Sequence, residues 1–600
     1  MSRYARLWRE LMRLSFRHER RMAGGALVAI AGSVAAVAVS AVSARAAVDA
    51  AIAHRTGPAV TAAVIAALTY ALSLMLRTTV DNLINLTVDR VGRLQLHGGL
   101  YLDVSTVEGI DHLERSDYLD RLALLRRTFN GVMSWSWSIL TAVERMAELA
   151  VMVLLLGTVT PLLGALLVFA VAPVLCDRRG QRIVHEAEVA TEESNRLQQE
   201  LFELSVQASS GKDIRVSGAA DEIASRQRAA WDEVAAGRYR AQLRASAARL
   251  LGWLVFGAGF VGALGLVTYR TAHGTGSVGD LVLTILVASR LRQAMQAAVT
   301  STMRTTAGAR MVHNFLWLRD YVAAERARAT GTLAAPPVLR SGLRLDGVSF
   351  VYSGTDRAAL TDVSVAIPAG TVVAVVGEYG SGKTTLVKLL TRCYRPSAGS
   401  IQVDGIDLLD LDASAWRARS SAAFQDFGRF HTTVAESVAL GDVTAPPSRV
   451  EAAVRESDAH SLVSRLPKGL STQLGVHLGG VDLSEGQWQR IALARAAMRT
   501  DPVLFVLDEP TASLDAPSEE AIYAHHMTRA RDIAARTGAI TVIVSHRFST
   551  VAGADLILVL HEGRLVESGG HAELLRAGGR YADLYGLQAT AYARSAGSVE

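Results

Sequence analysis

Hydrophobic positions fall in long unbroken runs in the first half of this chain and in short ones in the second. Residues 23–44, 58–76 and 250–269 contain no charged side chain. Each run is long enough to cross a hydrocarbon layer of about 30 Å as a helix. Residues 149–176 are also uncharged but are broken at Gly157-Thr158-Val159-Thr160-Pro161. Two spans are expected there. One reaches back to about Ile139 and carries Glu144, Arg145 and Glu148 in its inner end; the other runs from Pro161 to about Cys176. A further span is expected from Leu281 to Met303, although Arg290 and Arg292 make it score poorly on hydropathy alone. The pattern predicts six membrane helices within residues 23–329, with long polar extensions at 77–137 and 177–249.

Charge orients these helices. Arg3, Arg6, Arg9, Arg13, Arg17, Arg20 and Arg21 precede the first span, and both long polar segments are arginine-rich. The connections at 45–57, 157–160 and 270–277 are short and carry few arginines. The excess of cationic residues places the N-terminus and the long segments on the cytoplasmic side. Residues 1–22, with Leu7, Trp8, Leu11, Leu14 and Phe16 among the arginines, read as an elbow helix on the inner membrane surface. Half of the residues are hydrophobic and 20% are charged, as a membrane domain joined to a globular one requires. The net charge of +5 is accounted for by the inside-facing arginines, and no nucleic-acid partner is indicated. The two cysteines, Cys176 and Cys393, provide no disulfide framework. If Asp280 marks the outer end of the sixth span, Arg290 lies about 15 Å inside at 1.5 Å per residue. A cation at that depth faces protein or a water-filled cavity. The expectation is that one of Arg290 and Arg292 lines a cavity for an anionic or amphipathic substrate while the other pairs with an acid such as Glu144 or Glu148; the alternative is a purely structural ion pair, or a span shifted so that both arginines lie in the inner headgroup region.

The second half changes period. Val372–Val376 is a buried-strand run, Gly377-Glu378-Tyr379-Gly380-Ser381-Gly382-Lys383-Thr384 follows, and Thr385–Leu390 has a helical pattern. Strand, glycine-rich loop and helix in this order form a phosphate cradle: backbone N–H groups turn inward and the helix N-terminus adds its positive end. Lys383 can reach the β- and γ-phosphates, and the Thr384 hydroxyl can ligate Mg²⁺. The chain has only four lysines, Lys212, Lys383, Lys388 and Lys468, so the lysine at 383 is not compositional accident. Val503–Leu507 is apolar on both faces, as in a central parallel strand, and ends in Asp508 and Glu509. Asp508 is placed to hold Mg²⁺ and Glu509 to polarise the attacking water.

With these motifs the chain resembles the ATP-binding cassette (ABC) transporters. Leu483-Ser484-Glu485-Gly486-Gln487 is similar to their signature sequence, just upstream of Gln489-Arg490-Ile491-Ala492-Leu493-Ala494-Arg495-Ala496. Tyr352 resembles the aromatic residue that stacks on adenine, Gln425 the Q-loop glutamine, Ser513-Leu514-Asp515 the D-loop, and His546 the switch histidine. The resemblance covers residues 343–588 in motif order and spacing. It implies Glu509 and His546 as catalytic residues. Nucleotide contacts fall on Tyr352, residues 377–385 (Gly377 to Thr385), Gln425, Ser484, Gly486, Gln487, Asp508 and Asp515; Mg²⁺ falls to Thr384, Gln425 and Asp508. The implied fold is an α-helical six-span membrane domain followed by an α/β P-loop NTPase domain. The boundaries are an elbow at 1–22, the membrane domain at 23–329, a linker at 330–341, the cassette at 342–588 and a tail at 589–600. Short coupling helices are expected near Val107–Asp117 and Lys212–Ala219. Glu485 departs from the usual glycine and is expected to point away from nucleotide. The stretch Gly475–Asp482 also departs from the common form. One cassette is half of an ATP sandwich, so a second half-transporter is required, a homodimer or a heterodimer. The implied function is ATP-driven export of a small molecule, modified peptide or lipid from a bacterial cytoplasmic membrane, with ATP and Mg²⁺ as cofactors. An importer on the same fold and a non-transporting regulatory ATPase are the alternatives.

Overall fold

The computed structural model describes residues 3–329, 331–510, 516–545 and 551–587. The chain forms two compact units, Met1–Leu102 with Leu124–Leu318, and Asp103–Ala123 with Arg319–Glu600.

The first unit is helical. Its elements are α1 (Arg3–His18), α2 (Arg20–Ile52), α3 (Thr56–Val91), which runs through a wider turn at Gly92–His97 into α4 (Gly98–Ser105), α5 (Ser116–Val159), α6 (Leu166–Ala190), α7 (Glu192–Val206), α8 (Ala208–Ser217), α9 (Ala220–Ala272) and α10 (Val278–Arg328). Helix α1 buries Leu7, Leu11 and Met12 on one face and keeps its arginines on the other. Within the described residues, four helical stretches are long and apolar enough to cross a membrane: Arg20–Ile52, Thr56–Ser105, Pro161–Ala190 and Ala220–Ala272. Helices α5 and α10 are long enough but carry the charges noted above. The break at Thr160 falls as the Gly-Thr-Val-Thr-Pro pattern requires: α5 stops at Val159 and Pro161 opens a short 3₁₀ turn.

The apolar core of this unit joins α2, α5, α6, α9 and α10 through Val37, Met152, Leu156, Leu166, Phe256 and Leu291. Helices α6 and α9 meet closely because Gly252 has no side chain; a Cβ there would lie 2.8 Å from the Pro173 Cα. Val28, Leu154, Val168 and Val261 turn outward and are 74%, 70%, 73% and 68% exposed, which is too much apolar surface for water and suits lipid. At the start of α10, the Gly279 N–H donates to Asp49 at 3.0 Å and Arg45 pairs with Asp280 at 2.8 Å.

The second unit carries two sheets. Strands β1 (Gly342–Val351), β2 (Ala358–Pro368), β4 (Ala398–Val403) and β5 (Ile406–Asp407) form an antiparallel sheet in the order β2-β1-β4-β5. Strands β3 (Val372–Gly377), β6 (Ser420–Ala423), β7 (Leu504–Asp508), β8 (Ile540–Val544), β9 (Leu556–His561) and β10 (Arg564–Gly569) form the other, in the order β10-β9-β3-β8-β7-β6. All pairs in it are parallel except β9 with β10. The helices are α11 (Lys383–Leu390), α12 (Ala413–Ala418), α13 (Val434–Ala439), α14 (Pro447–Glu456), α15 (His460–Arg465), α16 (Glu485–Ala497), α17 (Ala516–Thr537) and α18 (His571–Ala577). Strand β3 is apolar throughout because both of its faces are covered. Val373 and Val375 enter a core with Leu386 and Leu390 of α11, while Val372, Ala374 and Val376 enter another with Phe505 and Leu507. The segment read as a linker is pinned to this unit: Leu333 exchanges backbone hydrogen bonds with Asp410 and Asp412, and the Leu339 N–H donates to the Thr537 carbonyl.

Residues 103–123 also belong to the second unit. Asp111–Glu114 is a short 3₁₀ turn within the segment expected as a coupling helix. Glu108 is half-buried there with its carboxylate almost covered, paired with the buried Arg392 at 2.7 Å and with Arg395 at 2.6 Å. Arg417 donates to the Glu108 and Arg392 carbonyls, and the Ile110 N–H donates to the Cys393 carbonyl at 3.0 Å. Both arginines lie just past the end of α11. Breaking a buried ion pair from one side leaves the other charge uncompensated, at a cost of about 3–5 kcal/mol. Glu108→Ala is therefore expected to lower the thermal unfolding midpoint of the detergent-purified protein by several degrees. An unchanged midpoint would show that this clamp contributes nothing net.

Candidate functional site

The candidate site forms where parallel strands end side by side. Val544 of β8 pairs with Val375 of β3 on one side and with Asp508 of β7 on the other. The loop that leaves β3 and the acids that end β7 thus emerge one strand apart, within about 10 Å at ordinary strand spacing. The loop needs its glycines. Gly382 has φ 101°, and a Cβ on it would lie 2.7 Å from the Ala359 carbonyl oxygen. Lys383 opens α11 and folds back over the loop, donating to the Gly377 carbonyl at 2.9 Å and the Glu378 carbonyl at 2.8 Å. Burial holds the ammonium below its usual pKa, against the pull of Glu509 and Asp508. Glu378 itself accepts from Arg580 at 2.8 Å, and Tyr379 at the loop tip is fully exposed.

Asp508 is 2% exposed, and burial pushes its carboxyl up to about 6; the neighbouring Thr384 hydroxyl and Lys383 act in the opposite direction. Neither carboxylate oxygen has a partner of good hydrogen-bond geometry among the described residues. Glu509 follows in the left-handed region, φ 48°, with its N–H on the Val544 carbonyl at 3.0 Å. Its side chain accepts from the Gln425 amide at 2.9 Å, and its carbonyl from the Gln489 amide at 3.0 Å. Gln425 thus spends its donor on Glu509 and keeps its amide oxygen for another partner. Thr384, Asp508 and Gln425 together offer a hydroxyl, an unsatisfied buried carboxylate and an amide oxygen. This hard-oxygen set suits Mg²⁺, which keeps waters and few protein ligands.

Tyr352 is half-buried. Its hydroxyl lies 2.9 Å from that of Thr385, and its ring meets Phe350 and Tyr394 edge-on at 4.9 and 5.4 Å. It is therefore anchored to the helix that carries Lys383. Ser484 caps α16 in a reciprocal box: the Gln487 N–H donates to the Ser484 hydroxyl and the Ser484 N–H to the Gln487 side chain. Gly486 lies in the first turn of that helix. Glu485 is not left bare, since Arg429 pairs with its carboxylate. Arg429 and Gln489 are the two residues of this region that the sequence does not single out. Gln489 had a signal in retrospect, a polar residue on the buried face of α16 between Trp488 and Ile491. Helix α16 packs on α13, α14 and β6, whereas α11 packs on β2, β3, β7 and β8. Asp515 and His546 lie outside the described residues.

A second polar site lies within the helical unit. A cavity of about 90 Å³ is lined by Ser33, Tyr70, Arg77, Glu148 and Arg290, among others. The acids expected to meet Arg290 or Arg292 are engaged differently. Glu144 accepts from Ser33 at 2.8 Å, and Glu148 pairs with Arg77 at 3.2 Å and Arg145 at 3.3 Å. The Arg290 guanidinium lies over the Tyr70 ring, 4.8 Å from its centre. The Arg292 side chain lies outside the described ones.

Residues 360–512 match the family model described as ABC transporter. An ATP-dependent lipid A-core flippase of Aromatoleum aromaticum is 36% identical over 370 residues, covering 58% of each chain. One from Pseudomonas fluorescens is 39% identical over 327 residues, covering 53% of this chain and 52% of that one. The chain thus spans a little over half the length of these curated relatives. A solved structure of a bacterial Atm1-family ABC exporter with ATP bound superposes with a TM-score of 0.75 at 26% identity, covering 96% of this chain and 99% of the other. Residues 360–512 thus carry the ABC transporter domain, and the whole chain is similar in fold to an Atm1-family ABC exporter, with a helical unit followed by an α/β nucleotide-binding unit.

Lys383 folds its ammonium back over the loop carbonyls, so Lys383→Ala is expected to reduce ATP turnover by ~10²–10³-fold. The measurement is phosphate release by the purified protein in nanodiscs. Full turnover in that variant would overturn the loop's assignment.

Proposed function

We propose that the protein is an ATP-driven exporter that works as a dimer in a bacterial cytoplasmic membrane, with its cassette in the cytoplasm. The observation that carries this is the convergence of Lys383, Asp508, Glu509 and Gln425 at the C-terminal ends of the parallel strands. Six spans are proposed, within α2, α3, α5, α6, α9 and α10. The charges of α5 are tolerated because Glu144 accepts from Ser33 and Glu148 pairs with Arg77 and Arg145, and on α10 the Arg290 guanidinium lies over the Tyr70 ring.

In the proposed mechanism, the loop 377–385 and the N-terminus of α11 receive the phosphates of ATP. Lys383 leaves the Gly377 and Glu378 carbonyls to meet phosphate oxygens. Tyr352 supports the base, and Asp515 and His546 complete the site. Mg²⁺, held by Thr384, Asp508 and Gln425, would neutralise phosphate charge. Glu509, held by Gln425, takes a proton from the attacking water. A partner copy supplies Ser484, Gly486 and Gln487 to close each ATP. Arg429 keeps the Glu485 charge from opposing the nucleotide. Glu509→Gln preserves shape and removes the base. It is expected to keep ATP binding and slow hydrolysis by ~10²–10⁴-fold. ATP-dependent dimerisation that persists while phosphate release stops supports this; an unchanged rate assigns the base elsewhere.

The transported substrate is proposed to be an anionic amphiphile, with a lipid the class that the relatives' names carry. Among the described residues lining the membrane cavity, Arg77, Arg145 and Arg290 face Glu144 and Glu148, and Arg290 lies over an aromatic ring. Arg290→Leu is expected to abolish substrate-stimulated ATPase and leave basal ATPase within about 2-fold, since only the ring contact of ~0.5–2 kcal/mol is lost. Stimulation by anionic lipid that survives intact in a stable Arg290→Leu protein would reject the anionic class.

A further inference from the structure

We propose that Gln489 is a positioning residue that couples the two ATP sites of the dimer, by tying the signature helix of each copy to that copy's own catalytic glutamate. This rests on the dimeric ATPase reading above. Gln489 is 6% exposed, and its amide donates to the Glu509 carbonyl at 3.0 Å. Its own oxygen has no partner among the described residues, so this one bond orients the amide. Glu509 is held at three points by three elements: its N–H by β8, its side chain by Gln425, its carbonyl by α16. It needs holding, because φ 48° is a conformation that a residue with a side chain rarely adopts.

Helix α16 starts at the signature. Ser484 caps it and Gln487 closes the box, so its first turn is rigid. Gln489 lies five residues on from Ser484, about 7.5 Å along the axis. In the dimer the signature of one copy closes over the nucleotide in the other copy's phosphate loop. Ser484 and Gln489 therefore belong to one rigid helix that faces two different ATP molecules. Ser484 touches the partner copy's ATP, and Gln489 fixes the backbone of the base that acts on its own. A shift of α16 as the partner's nucleotide is gripped reaches the Glu509 carbonyl through a single hydrogen bond. Removal of the donor takes this bond from the carbonyl and leaves the left-handed turn less constrained.

The test is ATPase activity of the full-length protein in nanodiscs as a function of ATP, with binding of a fluorescent ATP analogue followed separately. Gln489→Met keeps the volume and removes the donor; Gln489→Glu puts an acceptor against the carbonyl. Both are expected to bind nucleotide with unchanged affinity, lose about 10-fold in kcat, and show a Hill coefficient of about 1 where the wild type lies above 1. A purely packing role would leave Gln489→Met at wild-type kcat and Hill coefficient, and that result overturns the proposal. So does a kcat loss with the cooperative slope retained, or a wild type with no cooperative slope, which can be read even if the variants do not fold. Lys383→Ala is the control. If it still hydrolyses ATP, the ATPase reading fails; if it is inactive while Gln489→Met matches wild type, only the coupling fails.

Discussion

The register of three parallel strands is the constraint on which the site depends. Val544 sits between Val375 and Asp508, so the phosphate-type loop and the acid pair end at the same level of the sheet. A parallel ladder allows this only because both flanking strands run with β8 and are covered on both faces. The cost is burial of Asp508, whose carboxyl rises to about 6 and whose oxygens find no donor of good geometry among the described residues. A cation beside it would favour the ionised form.

Charge is managed by the same logic elsewhere. Glu485, an unusual acid in the signature, is answered by Arg429. Glu108, carried on a segment between two long helices, is answered by Arg392 and Arg395 just beyond the phosphate-loop helix. Next to that clamp, Tyr394 packs edge-on against Tyr352, whose hydroxyl meets Thr385. Residues 103–123 are thus in mechanical contact with the helix that begins at Lys383. In the helical unit, Glu144 and Glu148 are tolerated in an apolar setting because Ser33, Arg77 and Arg145 satisfy them.

Much of this was legible in the chain itself. The uncharged runs locate α2, α3, α6 and α9, and Thr160-Pro161 separates α5 from α6, because twenty apolar residues have few other fates and proline cannot continue a helix. The loop at 377–384 is legible because a glycine-rich turn between a β run and a helical run is a local feature. Lys383, Thr384, Asp508, Glu509 and Gln425 could be chosen from motif and spacing, and the fold brings them to the C-terminal ends of the parallel strands.

What the sequence could not decide are the pairings between distant residues. Nothing local links Gln489 to the carbonyl of Glu509, Arg429 to Glu485, or Glu108 to Arg392; each pair is joined only when separate elements pack. Nor does the sequence tell that Arg290 rests on Tyr70 while Glu144 and Glu148 go to Ser33, Arg77 and Arg145, since a helix span states which residues are buried and not which neighbour they meet. Hydrophobic period and backbone conformation are short-range properties and so are written along the chain. Hydrogen-bond and ion-pair partners depend on helix rotation and strand register, which are settled by packing of the whole unit.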